Sequence, residues 1–244
     1  NCMAQEMEDA VKQKEEEERL RRQLISDISH DIRTPLTVVQ GYLLTVINDL
    51  ENSKSKNIEY LKRCFESSVE MEQLLQQLSD YNRMFRVDYK LNKELVDFTE
   101  FVKHILADQY HYIEVNKNIL SVEVDEEERN IFIDKREMRR AIINLLNNAV
   151  QHNNENTTIE IRLTEYDRKI YLVIADDGKR IPEDISSCMY EPFVKGDQSR
   201  NDSSNSGLGL AIVKKVLDAH EADIYFEQPY KKYTKAFIIV IPVE

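Results

Sequence analysis

The spacing of apolar residues changes near residue 90, and this change divides the 244-residue chain into two differently built parts. Between residues 23 and 86, apolar residues recur at every third or fourth position, as in amphipathic helices. From about residue 91, helical spacing alternates with short strand-like segments. The chain therefore combines an all-helical part with a mixed α/β part.

The first part predicts two helices joined as a hairpin. Its apolar stripes run from Leu24 to Ile47 and from Ile58 to Phe85, and residues 52–57 form a polar break between them. Such a hairpin encloses too small a core to be stable alone, so we expect a dimeric four-helix bundle. The charged residues 1–22 predict a solvated helical linker. The expected domains are therefore 1–22, 23–90 and 91–244.

The second part predicts an α/β sandwich. We expect helices over residues 98–114, 135–151 and 208–220. The segment between residues 194 and 206 is polar and long enough to form a lid over a site. The expected strands are Ile119–Val124, Asn130–Ile133, Ile159–Thr164, Ile170–Ala175 and Ala236–Ile241.

Composition excludes several classes of protein. The net charge of −12 argues against a general nucleic-acid binder, which needs clustered Lys and Arg. The three cysteines are far apart in sequence, so neither a disulfide framework nor a zinc site is expected, and a reduced cytoplasmic setting fits best. No segment approaches the roughly 20 apolar residues of a membrane span. Contact with a membrane is therefore expected only through segments absent from this sequence.

His30 lies off the apolar stripe of the first helix. At about 100° per residue it is roughly 200° from Ile28 and Ile32, so it faces solvent if they face the bundle core. Thr34 is four residues further on and stands beside it. The carboxylate of neighbouring Asp31 could accept a proton from the imidazole. An exposed histidine in this setting favours a reaction site over a structural role.

Two polar pairs in the second part could bind a nucleotide. Asn144 and Asn148 lie opposite the apolar face of their helix; they are either ordinary polar surface or ligands for phosphate and Mg²⁺. Asp176 and Gly178 follow a strand, where a carboxylate could accept a hydrogen bond from the amino group of adenine. The same Asp-Asp-Gly segment is also a common turn.

Further along the chain, Phe193 precedes the polar lid segment, and Gly207-Leu208-Gly209 opens the next helix. Glycines at a helix start let backbone N–H groups approach a phosphate, and the positive end of the helix favours its charge. A short Gly-x-Gly alone is a weak signal, but the order of these segments is specific.

That order resembles the HisKA-type sensor histidine kinases. The segment from His30 to Leu36 resembles their H box, which carries the phosphoacceptor histidine. The asparagine pair, Asp176-x-Gly178, Phe193 and Gly207-x-Gly209 resemble the N, G1, F and G2 boxes of their Bergerat-type ATP-binding domain. The resemblance covers residues 20–244 and implies a protein histidine kinase.

In the H box, the resemblance implies that His30 is the nucleophile, that Asp31 orients it and takes its proton, and that Thr34 holds water for phosphatase action. The implied partners are a second copy of the chain and the receiver domain of a response regulator, without nucleic acid. The implied location is the cytoplasmic portion of a membrane-anchored sensor.

In the ATP-binding domain, the resemblance implies ATP and Mg²⁺ as ligands. Asn148 would bind Mg²⁺, Asn144 a phosphate, and Asp176 adenine. Lys195 and Arg200 fall where the family has basic lid residues near the phosphates. The other implied nucleotide-binding residues are Gly178, Phe193, Gly207, Leu208 and Gly209.

The chain departs from the family pattern at several places. Arg180 replaces a glycine of the G1 box, Asn205 and Ser206 replace glycines of the G2 box, and Gln151 and His152 replace a basic-aromatic pair. These departures keep open a nucleotide-binding pseudokinase or dimerisation scaffold. An ATPase or serine kinase of the same superfamily is a second alternative. A plain coiled-coil protein would leave the four nucleotide-site motifs unexplained.

Overall fold

The structure is a computed structural model that describes residues 32–46, 54–84, 90–192, 194 and 207–243. Two compact units are present. One contains the helices of residues 32–46 and 54–84, and the other contains the described residues of Val87–Glu191 and Gly209–Glu244. Within the described ranges, no helix has both the length and the apolar character needed to cross a membrane.

The first unit contains two helices, α1 over residues 32–46 and α2 over Lys54–Met84. Helix α2 begins within the polar segment expected to separate the helices, since residues 54–57 include neither proline nor glycine. The rings of Tyr42 and Tyr60 stack at 5.3 Å, and the Cys64 thiol lies 3.5 Å from the carbonyl oxygen of Val39. These contacts run in opposite directions along the two helices, so the helices form an antiparallel hairpin.

Large apolar side chains remain exposed on both helices of this hairpin. Phe65 is the most exposed of them, with 69% of its surface accessible. The expected apolar stripe is therefore largely uncovered within one chain. The exposed residues are Leu36, Val38, Leu43, Leu44, Ile58, Leu61, Phe65 and Leu75.

The second unit contains the predicted α/β elements. Each predicted helix and strand is confirmed, with bounds that differ by at most two residues, and β1, β6 and α5 are additional. The elements are β1 Glu94–Asp97, α3 Phe98–Val115, β2 Ile119–Val124, β3 Asn130–Ile133, α4 Lys135–Gln151, β4 Thr158–Tyr166, β5 Lys169–Asp176, α5 Glu183–Ser186, α6 Gly209–Ala219, β6 Asp223–Glu227 and β7 Lys235–Pro242.

Two sheets organise these elements. The five-stranded sheet has the order β2-β4-β5-β7-β6, in which β2 and β4 are parallel and the other neighbours are antiparallel. Strands β1 and β3 form a separate antiparallel pair. Helices α3, α4 and α6 pack together and against the sheet through buried apolar faces. The expected α/β sandwich is confirmed.

Strand alternation places a charged pair at the edge of the core. On β5, Ile170, Leu172 and Ile174 are buried on one face, and Asp176 continues that alternation at the end of the strand. Asp176 is paired in register with Lys235 at the beginning of β7. Paired residues in an antiparallel sheet lie on the same face, so the two side chains are neighbours.

Candidate nucleotide site

Helix α4 supplies the two asparagines. Its N-cap Asp134 accepts hydrogen bonds from the backbone N–H groups of Arg136 and Glu137, each at 3.1 Å, which stabilises the first turn. The apolar face of the helix, including the fully buried Leu145, packs into the core. Asn144 and Asn148 are half-buried on the other side. The helix therefore presents both amides from a fixed backbone.

The start of α6 lies beside these asparagines. A Cβ atom at Gly209 would be 4.0 Å from both Cγ of Asn144 and Oδ1 of Asn148. The Asn144 amide donates a hydrogen bond of 3.4 Å to the Gly209 carbonyl. The Asn148 amide makes no hydrogen bond to any residue in the described part of the chain. The structure thus brings together three of the predicted site residues and leaves one amide oxygen available to a ligand.

His220, directly after α6, ties that helix to α4. Its Nε2 accepts a hydrogen bond of 3.0 Å from the backbone N–H of Asp134, and its Nδ1 lies 2.7 Å from the Val216 carbonyl. Burial lowers the pKa of His220; the Val216 carbonyl, Asp134 and Glu137 oppose this shift, and Lys93 adds to it. The neutral imidazole holds the two helices in register, so the glycine and the asparagines are positioned together.

Asp176 is buried at the end of β5. Its Oδ1 accepts three hydrogen bonds: 3.0 Å from Nδ2 of Asn153, 3.0 Å from the backbone N–H of Gly178, and 2.6 Å from Nζ of Lys235. Burial raises the pKa of the Asp176 carboxyl, while the Lys235 ammonium and these hydrogen bonds oppose the shift. The Lys235 contact is an ion pair between side chains that are 5% and 4% exposed.

Asn153 and Lys235 are functional candidates that the sequence analysis missed. The Asn153 amide donates to the Ala149 carbonyl and to Asp176, and it accepts from the backbone N–H of Lys179 and from Lys235. A Cβ atom at the adjacent Gly178 would overlap this amide, so a glycine is required there. Lys235 becomes a neighbour of Asp176 through the register of β5 on β7, which the sequence alone does not reveal.

The remaining predicted site residues are distributed as follows. Thr34 is exposed on α1 in the first unit. Gly207 has a φ of 70°, in the left-handed region that glycine adopts readily, and Leu208 is buried. His30, Asp31, Phe193, Lys195 and Arg200 lie outside the described residues, so their roles stay predictions.

The departures from the family pattern lie at the surface where the structure describes them. Arg180, Gln151 and His152 are all exposed. Gln151 donates a hydrogen bond of 3.3 Å to the Tyr112 hydroxyl. Asn205 and Ser206 lie outside the described residues.

Comparison with known proteins gives two matching family models. The model described as the His Kinase A (phospho-acceptor) domain matches residues 20–84. The model described as the histidine kinase-, DNA gyrase B- and HSP90-like ATPase matches residues 133–244. The two models occur in the order predicted from the motifs, and together they match well over half of the chain.

Curated relatives and a solved structure agree with these models. The sensor protein GtcS of Aneurinibacillus migulanus is 28% identical over 218 residues, which are 89% of this chain and 59% of that protein. The sensor histidine kinase YclK of Bacillus subtilis is 29% identical over 248 residues, 100% of this chain and 51% of that protein. The chain thus spans little more than half the length of these relatives.

The histidine kinase ThkA, solved in complex with the response regulator protein TrrA, shares the fold with a TM-score of 0.73 at 20% identity. The match covers 95% of this chain and 66% of that chain. With the fold, the ordered motifs and both family models in agreement, the chain belongs to the HisKA-type sensor histidine kinases.

Proposed function

We propose that this chain is a protein histidine kinase that phosphorylates its own His30 with ATP and then passes the phosphoryl group to an aspartate of a response regulator. The observation that carries this proposal is the convergence of Asn144 and Asn148 on Gly209 within the unit matched by the ATPase family model. The phosphoacceptor family model matches the region that contains His30.

The chemistry of the site fits an adenine nucleotide. The second carboxylate oxygen of Asp176, Oδ2, receives no hydrogen bond from any described residue. It is the acceptor for the exocyclic amino group of adenine. At the other side of the site, Gly209 begins α6, where its lack of a side chain leaves room for phosphate beside the asparagines.

Asn148 is the candidate ligand for Mg²⁺. Its amide oxygen is a hard donor of the kind this cation prefers, and Mg²⁺ usually keeps several waters and binds nucleotide phosphates. The described residues contain no group of three His, Cys, Asp or Glu side chains arranged for a metal. The phosphates and water are therefore its other ligands in this proposal. Bound Mg²⁺ supplies neutralisation of the charge on the phosphate oxygens.

In phosphoryl transfer, the protein mainly positions the reacting groups and neutralises the charge on the phosphate. The His30 imidazole attacks the γ-phosphorus, an N–P bond forms as the O–P bond to ADP breaks, and Asp31 takes the imidazole proton. Lys195 and Arg200 offset charge on the transferring group. His30 and the asparagines lie in the regions that the two family models match, so both regions take part in the proposed reaction.

The proposed partners are a second copy of the chain and a response regulator. The exposed apolar residues of α1 and α2 favour a four-helix bundle built from two chains. The solved complex of ThkA with TrrA supports a response regulator as the receiver of the phosphoryl group. Thr34, exposed on α1, is proposed to hold the water that removes the phosphoryl group from that partner.

The proposal is tested by incubating the chain with γ-labelled ATP and Mg²⁺. We expect an acid-labile, base-stable label that is absent in His30→Ala. His111→Ala serves as the matched control, because His111 is an exposed histidine of α3 and should leave labelling unchanged. Acid-stable label, or label that persists in His30→Ala, would contradict the proposal. Nucleotide binding without any label would favour the scaffold alternative.

A further inference from the structure

The ion pair between Asp176 and Lys235 is part of a closed hydrogen-bond network. The three N–H donors of the Lys235 ammonium are matched by three acceptors: Oδ1 of Asp176 at 2.6 Å, Oδ1 of Asn153 at 3.0 Å and the carbonyl oxygen of Lys179 at 2.6 Å. Asn153 uses both of its donors and accepts twice. The network therefore fixes the position of each of its side chains.

Stability alone is a poor reason for this arrangement. Both charged side chains are almost completely buried, and lysine is rarely found in that state unless it is paired. Removing two charges from water costs about as much free energy as their attraction returns, so an apolar pair of similar volume is often as stable. A buried pair of this kind next to a ligand site is accordingly a candidate for a functional role.

The positions of the hydrogen-bond donors around the Asp176 carboxylate indicate the functional role of the ion pair. All three hydrogen bonds to the Asp176 carboxylate end on Oδ1, and Oδ2 receives none from the described residues. One oxygen is thus used for anchoring, while the other is left for a ligand. The Lys235 ammonium and the two N–H donors on Oδ1 favour the ionised form of the carboxylate, and an ionised carboxylate can only accept hydrogen bonds.

We propose that Lys235 is a positioning residue of the nucleotide site, which holds Asp176 as an acceptor-only group and thereby selects adenine over guanine nucleotides. The inference rests on the proposed nucleotide-binding function. Adenine carries an amino donor at the purine 6-position, where guanine carries a carbonyl acceptor. An ionised Oδ2 accepts a hydrogen bond from the amino group of adenine and repels the carbonyl oxygen of guanine. A protonated carboxyl would be able to donate to that carbonyl, so the selection depends on Lys235.

The experiment measures binding of three nucleotides to the whole chain by calorimetry: ATP, GTP and purine riboside triphosphate, which lacks the 6-amino group. For the unmodified chain we expect ATP to bind at least about tenfold more tightly than the analogue and at least about 100-fold more tightly than GTP. If the chain prefers neither the amino group nor ATP, the proposal is overturned, and this result depends on no variant.

The role of Lys235 itself is tested with Lys235→Met. We expect its ATP-to-GTP affinity ratio to fall at least about tenfold. Lys169→Met is the matched control, because it removes an exposed lysine at the opposite end of the same β5–β7 pair. Lys235→Gln is a second variant, for the case that Lys235→Met does not fold; it lacks the charge but keeps donors for Asn153 and for the Lys179 carbonyl. A folded variant with an unchanged ratio would show a merely structural role and overturn the inference.

The failure of this inference can be told apart from failure of the proposed function. If the chain binds ATP and labels His30 while Lys235→Met keeps the full ATP preference, only the role of Lys235 is wrong. If the unmodified chain binds no nucleotide, the proposed function fails and the inference fails with it.

Discussion

The two units of this chain treat apolar surface in opposite ways. In the second unit, the apolar face of α4 is enclosed, and Leu145 has no accessible surface. In the first unit, Leu61 and Phe65 of α2, four residues apart on one helical face, are 48% and 69% exposed. One unit therefore encloses a large apolar core within a single chain, whereas the described helices of the other leave an apolar face exposed.

The two units also differ in where their polar side chains lie. Several buried polar side chains of the second unit are joined in hydrogen-bond networks, such as the one around Asn153, Asp176 and Lys235. This network fixes the position of the Asp176 carboxylate. In the first unit, by contrast, Thr34 is exposed at the surface.

The largest expected effect comes from placing a charge on the exposed apolar face of α2. Phe65→Glu should dissociate the dimer, because burying a phenylalanine is worth roughly 1.5–3 kcal/mol and each change acts twice in a symmetric dimer. We expect the dissociation constant to rise at least about 100-fold, as measured by sedimentation equilibrium. Arg63→Gln alters the charge by the same amount at an exposed position of the same helix and should have little effect. An unmodified chain that is monomeric at micromolar concentration would contradict this expectation.

A smaller effect is expected in the enclosed core. Leu145→Ala should lower the stability of the second unit by about 3 kcal/mol, through lost transfer free energy and the cavity left behind. Hydrogen exchange of the β5 amides measures this loss locally. Arg136→Ala, at an exposed position of α4, should change it by less than about 0.5 kcal/mol. The contrast between the units would be wrong if Leu145→Ala weakened the dimer and left β5 protection unchanged.

The smallest effect concerns pH. The pKa of His220 is lowered in the folded unit, so the unfolded chain binds the proton first as the pH falls below about 6.5. The contribution of His220 to the free energy of unfolding is therefore fully present above that pH. Below it, this contribution falls by at most about 1.4 kcal/mol per pH unit. Exchange of the β5 amides between pH 8 and pH 5, corrected for its intrinsic rate, measures this slope. His220→Gln should flatten the dependence of stability on pH, whereas His104→Gln, at an exposed histidine, should not. Equal slopes in the unmodified chain and in both variants would refute the assignment to His220.

Most elements of the second unit could be predicted because their apolar periodicity is strong. Strands β1 and β6 could not, since they are short and carry few buried side chains; Val96 is buried in β1, but its neighbour Leu95 is exposed. Both strands take their structure from backbone pairing, β1 with β3 and β6 with β7. Local periodicity carries little information about such pairing.

The residues of the candidate site also include some that could be predicted from the sequence and one that could not. Asn144, Asn148 and Asp176 could be predicted from motifs, because each lies within a segment whose order along the chain is specific. Lys235 could not, because its partner lies 59 positions away in the chain and becomes a neighbour only through the register of β5 on β7. Side chains that act through another side chain are found from tertiary pairing and not from local sequence.

Transfer of the phosphoryl group from ATP to the His30 imidazole is the step on which the other proposed activities depend. The most direct test is to map the modified residue by mass spectrometry of the ATP-treated chain, with digestion and separation kept at neutral to alkaline pH. We predict phosphate on His30 alone, with the exposed histidines His104, His111 and His152 unmodified. Phosphate on a serine or threonine, or on one of those three histidines in place of His30, would contradict the account.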